Sequence, residues 1–209
     1  RYPISTYLIS INSANYVKFS EEYISSDNDT MLIDYYVFED NLEKAKVDFS
    51  IHSDAINYFS ELFGKYPFID EKYGVAEFMW SFGAMEHQTI TGVGSNFITG
   101  NKFFTGMLVH ELAHQWWGNA VTLSTWKDIW LNEGFATYSE ALYWEEQNGT
   151  EALKSRMRYR NTNFDGITLY NPEKLFSRVV YNKGAWVLHM LRKKIGEEHF
   201  FKLLKEYYN

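Results

Sequence analysis

The run Met107-Leu-Val-His110-Glu111-Leu-Ala-His114-Gln-Trp-Trp-Gly118-Asn119 decides the reading of this chain of 209 residues. Two histidines stand four residues apart, with a glutamate directly after the first. On an α-helix, positions i and i+4 share a face, so both imidazoles can grip one zinc ion while Glu111 lies beside it, free to act on a water. Met107, Leu108, Val109, Leu112 and Ala113 fill the neighbouring positions, which predicts a largely buried helix over about 103–118 with Gly118 as its stop.

Two histidines make an incomplete site, because a catalytic zinc takes three protein ligands and keeps one position open. The next strong helical pattern, about 126–147, contains Trp130-Leu-Asn-Glu133-Gly-Phe-Ala-Thr-Tyr-Ser-Glu140, and Glu133 follows His114 after eighteen intervening residues. That is room for a helix end, a loop and the start of a second helix against the first. His110, His114 and Glu133 with a fourth position free for water form a hydrolytic arrangement. Glu140 lies two turns beyond Glu133 on the same face, as a group that orients a ligand or as a partly exposed charge. Thr125 with Asp128 resembles a capping box at the start of this helix.

Outward from these helices the pattern is mixed. Tyr2 to Ile11, Met31 to Phe38, Tyr73 to Trp80 and Gln88 to Ile98 read as strands. Glycines 83, 92 and 94 mark a glycine-bent turn or an edge strand that accepts an extended peptide. Asn41 to Phe63 reads as one long helix, with Ala45, Phe49, His52, Ile56, Phe59 and Phe63 on one stripe and His52 as a packed histidine. Residues 151–160 read as a basic helix, 161–172 as loop, and Tyr181–Ile195 and Glu197–Tyr208 as the last helices. Strands followed by helices argue for an α+β fold, with a candidate boundary near residue 22.

Composition narrows the classes. Aromatics make up 19% of the chain, with seven tryptophans, which suits broad packed surfaces or an aromatic cleft. A net charge of −7 argues against nucleic acid and anionic membrane as partners. With no cysteine there is neither a disulfide framework nor thiolate chemistry. No apolar stretch approaches a membrane span. The chain opens on Arg1, as a fragment or processed product would, so cytoplasmic and exported settings are both compatible.

Three stretches, HELAHQWWGN, WLNEGFATYSE and VVYNKGAWVLHMLR, together resemble the aminopeptidase N family of zinc metallopeptidases, which also contains leukotriene hydrolase. A fourth, Gly83-Ala84-Met85-Glu86-His87, matches the family's Gly-x-Met-Glu-Asn motif except at its last residue. The resemblance implies a thermolysin-like catalytic domain over 22–209: a small mixed sheet with an edge strand, plus a helical lobe. Residues 1–21 would be the end of an N-terminal β domain, and the rest of that domain and a helical C-terminal domain would lie outside this chain.

It further implies one zinc ion on His110, His114 and Glu133, with Glu111 as general base and Tyr181 as hydrogen-bond donor to the oxyanion. Glu86 would hold the free α-ammonium of a peptide, and the backbone around Gly83 and Ala84 would line it; Met85 and His87 complete the substrate-binding set. His87 in place of asparagine puts the first specificity pocket in question. Three readings follow: an aminopeptidase acting on peptides with a free N-terminus, an epoxide hydrolase activity like that of leukotriene hydrolase (left open by the acidic Glu173), and a non-catalytic interaction module on the same fold. The piece by itself is expected to be impaired without its neighbouring domains.

Overall fold

The structure, a computed structural model, describes residues 2–209. Its sheet has five strands: β1 (Val17–Ile24), β2 (Thr30–Val37), β3 (Lys72–Phe78), β4 (Ala84–Met85) and β5 (Thr91–Gly94), in the order β1-β2-β3-β5-β4. β1 and β2 form an antiparallel hairpin, β2, β3 and β5 run parallel, and β4 returns antiparallel along β5 as an edge. The mixed sheet and edge strand expected of the fold class are both present. The boundary expected near residue 22 falls inside β1, which is paired with β2 along its whole length, so Val17–Ile24 belongs to the sheet.

Between β2 and β3 the expected single helix divides into α1 (Leu42–Phe49) and α2 (His52–Phe63). Ser50 and Ile51 keep near-helical dihedrals, so the apolar stripe stays in phase across the break. Ala45, Phe49, His52, Ile56, Phe59 and Phe63 are all buried. His52 steadies the break, its Nδ1 donating to the Phe49 carbonyl at 2.8 Å. It is the packed histidine the stripe predicts.

Two other strand expectations shrink for physical reasons. Tyr2–Ile11 has strand-like residues but finds no ladder partner among the described residues, and a strand without one is not stable. It runs extended, with a 3-10 turn at Thr6–Leu8 and Leu8 buried. Gln88–Ile98 reduces to β5, because Thr89 takes a left-handed turn conformation (φ 63°) and Ser95–Phe97 forms a 3-10 turn.

The helical lobe contains α3 (Thr105–Ala113), α4 (Trp130–Asn148), α5 (Thr150–Arg160), α6 (Gly184–Ile195) and α7 (Glu197–Tyr208). α4 is its centre and packs on α3, α5 and α6, while α7 closes against α2 and α6. Phe59, Phe63 and Tyr66 meet Trp116 edge-on, which joins the sheet side to the α3 side through one aromatic core. The loop before α3 is organised by the buried Asp48. Its carboxylate accepts the backbone N–H groups of Thr99, Gly100 and Lys102 at 2.6, 2.9 and 2.7 Å. Among the described residues no helix is long and apolar enough to cross a membrane.

Candidate metal centre and cleft

α3 is shorter than expected. Beyond Ala113 the hydrogen bonds tighten to Gln115→Leu112 and Trp116→Ala113, and Gly118, at φ 132°, turns the chain so that its N–H reaches Val121. His114 sits directly after the helix with helical dihedrals, so the i, i+4 relation to His110 survives. The two Nε2 atoms lie 3.2 Å apart, and Glu133 in the first turn of α4 brings Oε2 to 3.2 Å from His110 Nε2 and 3.4 Å from His114 Nε2. The three residues that the spacing selected therefore converge on one point.

The convergence fits a metal. Two ligands held about 2.0–2.1 Å from a tetrahedral zinc stand about 3.3 Å from each other. The Nδ1 of His114 faces the Trp117 carbonyl at 2.9 Å, and donating there leaves Nε2 as the ligating nitrogen. Charge points the same way. Glu86, Glu111 and His114 also bring their ligand atoms within 4.8 Å of one another, so three carboxylates surround two imidazoles. Burial opposes a charge on His114, but Glu86, Glu133 and Glu111 outweigh it and raise its pKa to about 10. Burial works against the charge on Glu133 too, yet the two histidines hold its pKa down to about 2. A buried group of this sign is completed by a cation.

Glu111 stands outside the trio of His110, His114 and Glu133 but within reach of His114 and Glu86. Burial, reinforced by the charges of Glu86 and Glu133 and partly offset by His114, raises its carboxyl well above the ordinary range. A carboxylate made more basic in this way is suited to taking a proton.

Tyr181 arrives from a π-helical turn, Val179–Lys183, that leads into α6. Its ring stands 5.9 Å from that of His110. Burial first, then the charges of Glu133, Glu111 and Glu86, raise its pKa well above that of an ordinary phenol, so it remains a hydrogen-bond donor. The turn can approach because Gly184 lies against Gly134 of α4, where a Cβ on either glycine would fall 2.8 Å from the other's Cα. Lys183 donates to the Ile167 carbonyl and so ties the preceding loop down, a structural role.

These side chains wall a cleft of about 440 Å³, together with Tyr7, Phe82, Ala84, Met85, Glu86 and Phe176. Glu86 follows the edge strand β4, and its carbonyl accepts from Asn119 Nδ2 at 2.8 Å. The Gly83 carbonyl accepts the Gly94 N–H at 2.9 Å, which extends the pairing of the edge.

Two candidates are not among the walls of this cleft, although Glu140 lines an adjoining cavity with His110 and Tyr181. The His87 ring is buried against Phe78 and Trp80 and lines a neighbouring cavity, and its pKa is lowered by burial against the opposing charge of Glu86. Glu140 pairs with Arg160 at 2.5 Å, with Arg156 at 3.9 Å, and lies over Gly106, one turn before His110. An arginine neighbour takes up its charge. Glu173 is exposed and forms no part of the cleft wall. Thr125 Oγ1 accepts from the Lys127 N–H, which caps the short 3-10 turn Trp126–Asp128 rather than α4 itself.

Sequence reasoning missed Tyr7, Phe82 and Phe176. Phe82 had a signal: Phe78, Trp80 and Phe82 alternate at strand spacing, and their rings stack at 4.5 and 4.9 Å. Tyr7 had none, since a long-range tether places it.

Comparison with known proteins agrees with the geometry. The peptidase family M1 domain is matched over residues 47–209. Leucine aminopeptidase 2 of Candida albicans is 30% identical over 99% of this chain and 37% of its own length. Probable aminopeptidase 2 of Sulfurisphaera tokodaii is 28% identical over 80% of this chain and 24% of its own. The crystal structure of an M1 zinc metallopeptidase from Deinococcus radiodurans superposes with a TM-score of 0.79 at 28% identity, covering 92% of this chain and 44% of that one. The chain thus spans a quarter to two fifths of the length of these curated relatives and under half of that solved chain.

Proposed function

Because the chain belongs to the peptidase M1 family, we propose that it carries the metal-binding core of a zinc aminopeptidase that removes N-terminal residues from peptides. The observation that supports this best is the convergence of His110, His114 and Glu133 beside a cleft that also holds a basic carboxylate, a neutral phenol and Glu86. His110, His114 and Glu133 would hold zinc, which when bound supplies a Lewis acid that polarises a carbonyl and acidifies water.

The chain's own groups account for the rest. Glu111 takes a proton from the attacking water and later delivers it to the leaving amine. Tyr181 donates a hydrogen bond to the oxyanion that forms at the scissile carbonyl. The Glu86 carboxylate pairs with the substrate's α-ammonium. An internal peptide segment has no such cation and would leave that carboxylate desolvated and alone, so hydrolysis stops at the first residue. The free side of β4 pairs with the peptide backbone as an added strand. Met85, beside Glu86, contributes to the apolar wall that meets the first side chain. We also propose that residues before β1 close an adjoining β domain, and that the peptide contacts of the intact protein extend beyond this chain.

The test is Glu111→Gln in the full-length protein. Hydrolysis of an aminoacyl-arylamide should fall by at least about a thousandfold, with metal content and melting temperature kept. Activity that survives unchanged would remove Glu111 from the mechanism.

A further inference from the structure

Residues 2–8 form no strand, yet they are fixed at two points by Gln88. Its backbone N–H donates to the Leu8 carbonyl at 3.2 Å, and its side-chain amide to the Pro3 carbonyl at 3.0 Å. Gln88 lies two residues beyond Glu86. The segment that presents the Glu86 carboxylate therefore also anchors the turn that carries Tyr7.

Tyr7 is held from the other side as well. Its ring stands 5.0 Å from that of Trp126, near edge-on, and its hydroxyl receives an N–H from Asn132 Nδ2 at 3.2 Å. Asn132 is buried and directly precedes Glu133. The phenol forms part of the cleft wall with Glu86 and Glu133. Burial first, then the charges of those two glutamates, keeps it a neutral hydroxyl. A hydroxyl has one proton and two acceptor positions. Asn132 uses one acceptor position, so one acceptor and the proton remain.

An α-ammonium brings three N–H donors, and one carboxylate does not meet all of them. We propose that Tyr7 is a binding residue for the substrate's free amino group, accepting one ammonium N–H beside Glu86 while its own proton turns to a carboxylate oxygen. This rests on Glu86 as the amine-binding group.

The experiment compares two probes on the full-length protein and its Tyr7→Phe variant by calorimetry: leucine hydroxamate, and the same molecule without its α-amine. Binding stoichiometry reports the folded fraction separately from affinity. The wild type should bind the amine-bearing probe more tightly. Tyr7→Phe should weaken that probe about tenfold and the amine-free probe less than about twofold. In step, KM for an aminoacyl-arylamide should rise about tenfold with kcat little changed. Equal weakening of both probes overturns the proposal, because Tyr7 would then act through Asn132 on the metal ligands. Unchanged binding of both also overturns it. A wild type that does not distinguish the probes overturns the role of Glu86 itself, an outcome separate from the failure of Tyr7 alone.

Discussion

Gly134 and Gly184 meet backbone to backbone, so closely that a methyl on either would lie 2.8 Å from the other's Cα. This contact sets how near the Tyr181 turn can come to the end of α4 that carries Glu133. In Gly134→Ala, α4 and α6 must separate. We expect a stability loss of about 2 kcal/mol, and a kcat that falls beyond what the folded fraction explains because Tyr181 withdraws from the cleft. Thermal unfolding and arylamide kinetics on the same samples check both.

Tyr181→Phe isolates the hydroxyl. The loss of one oxyanion donor should lower kcat by about 10²–10³-fold and leave KM within about twofold. A rise in KM at constant kcat would instead make Tyr181 a substrate-binding group. The measurement is steady-state hydrolysis of an aminoacyl-arylamide.

Asp48 accepts three backbone N–H groups in the loop that launches α3. Asp48→Ala leaves those donors without a partner and should cost about 3 kcal/mol. Asp48→Asn, which keeps an acceptor but not the charge, should fall between. Denaturant titration reads both, and metal affinity should drop with stability because the loop positions the helix that carries His110.

His52 gives a pH dependence with a definite sign. Burial, partly offset by the Phe49 carbonyl, lowers its pKa to about 4, below the usual 6.5 for histidine. The folded state therefore binds its proton less readily than the unfolded state. Its contribution is fully present above about pH 6.5 and is lost as pH falls from there to 4, up to about 3 kcal/mol. His52→Phe should flatten the fall in unfolding free energy over that window. An unchanged slope would show that other groups dominate it.

The convergence of the candidate ligands was legible because its information is local. The i, i+4 spacing of His110 and His114 is a property of one helix, and Glu133 lies one loop away. The stripe from Ala45 to Phe63 was legible for the same reason, even across the break at Ser50. What failed depended on partners distant in sequence. Tyr2–Ile11 carries strand chemistry, but among the described residues no strand pairs with it. Glu140 reads from its spacing either as a group that orients a ligand or as a partly exposed charge, and its pairing with Arg160, a helix later, could not be read there. Tyr7 needed Gln88 and Asn132, which lie far along the chain, to reach the cleft. Spacing cannot encode such pairings, since they are settled only when the chain closes on itself.

The strand at the rim of the sheet, β4, is only two residues long. A long, flat, apolar rim would invite another copy of the chain to pair with it and grow into a fibre. Two residues expose too few unpaired groups for that, yet enough to register the first bonds of the peptide proposed above. The opposite rim, β1, carries Lys18, Glu21 and Glu22 along its length. The protein can thus keep one side of its sheet open to extended chains while remaining a poor template for its own aggregation.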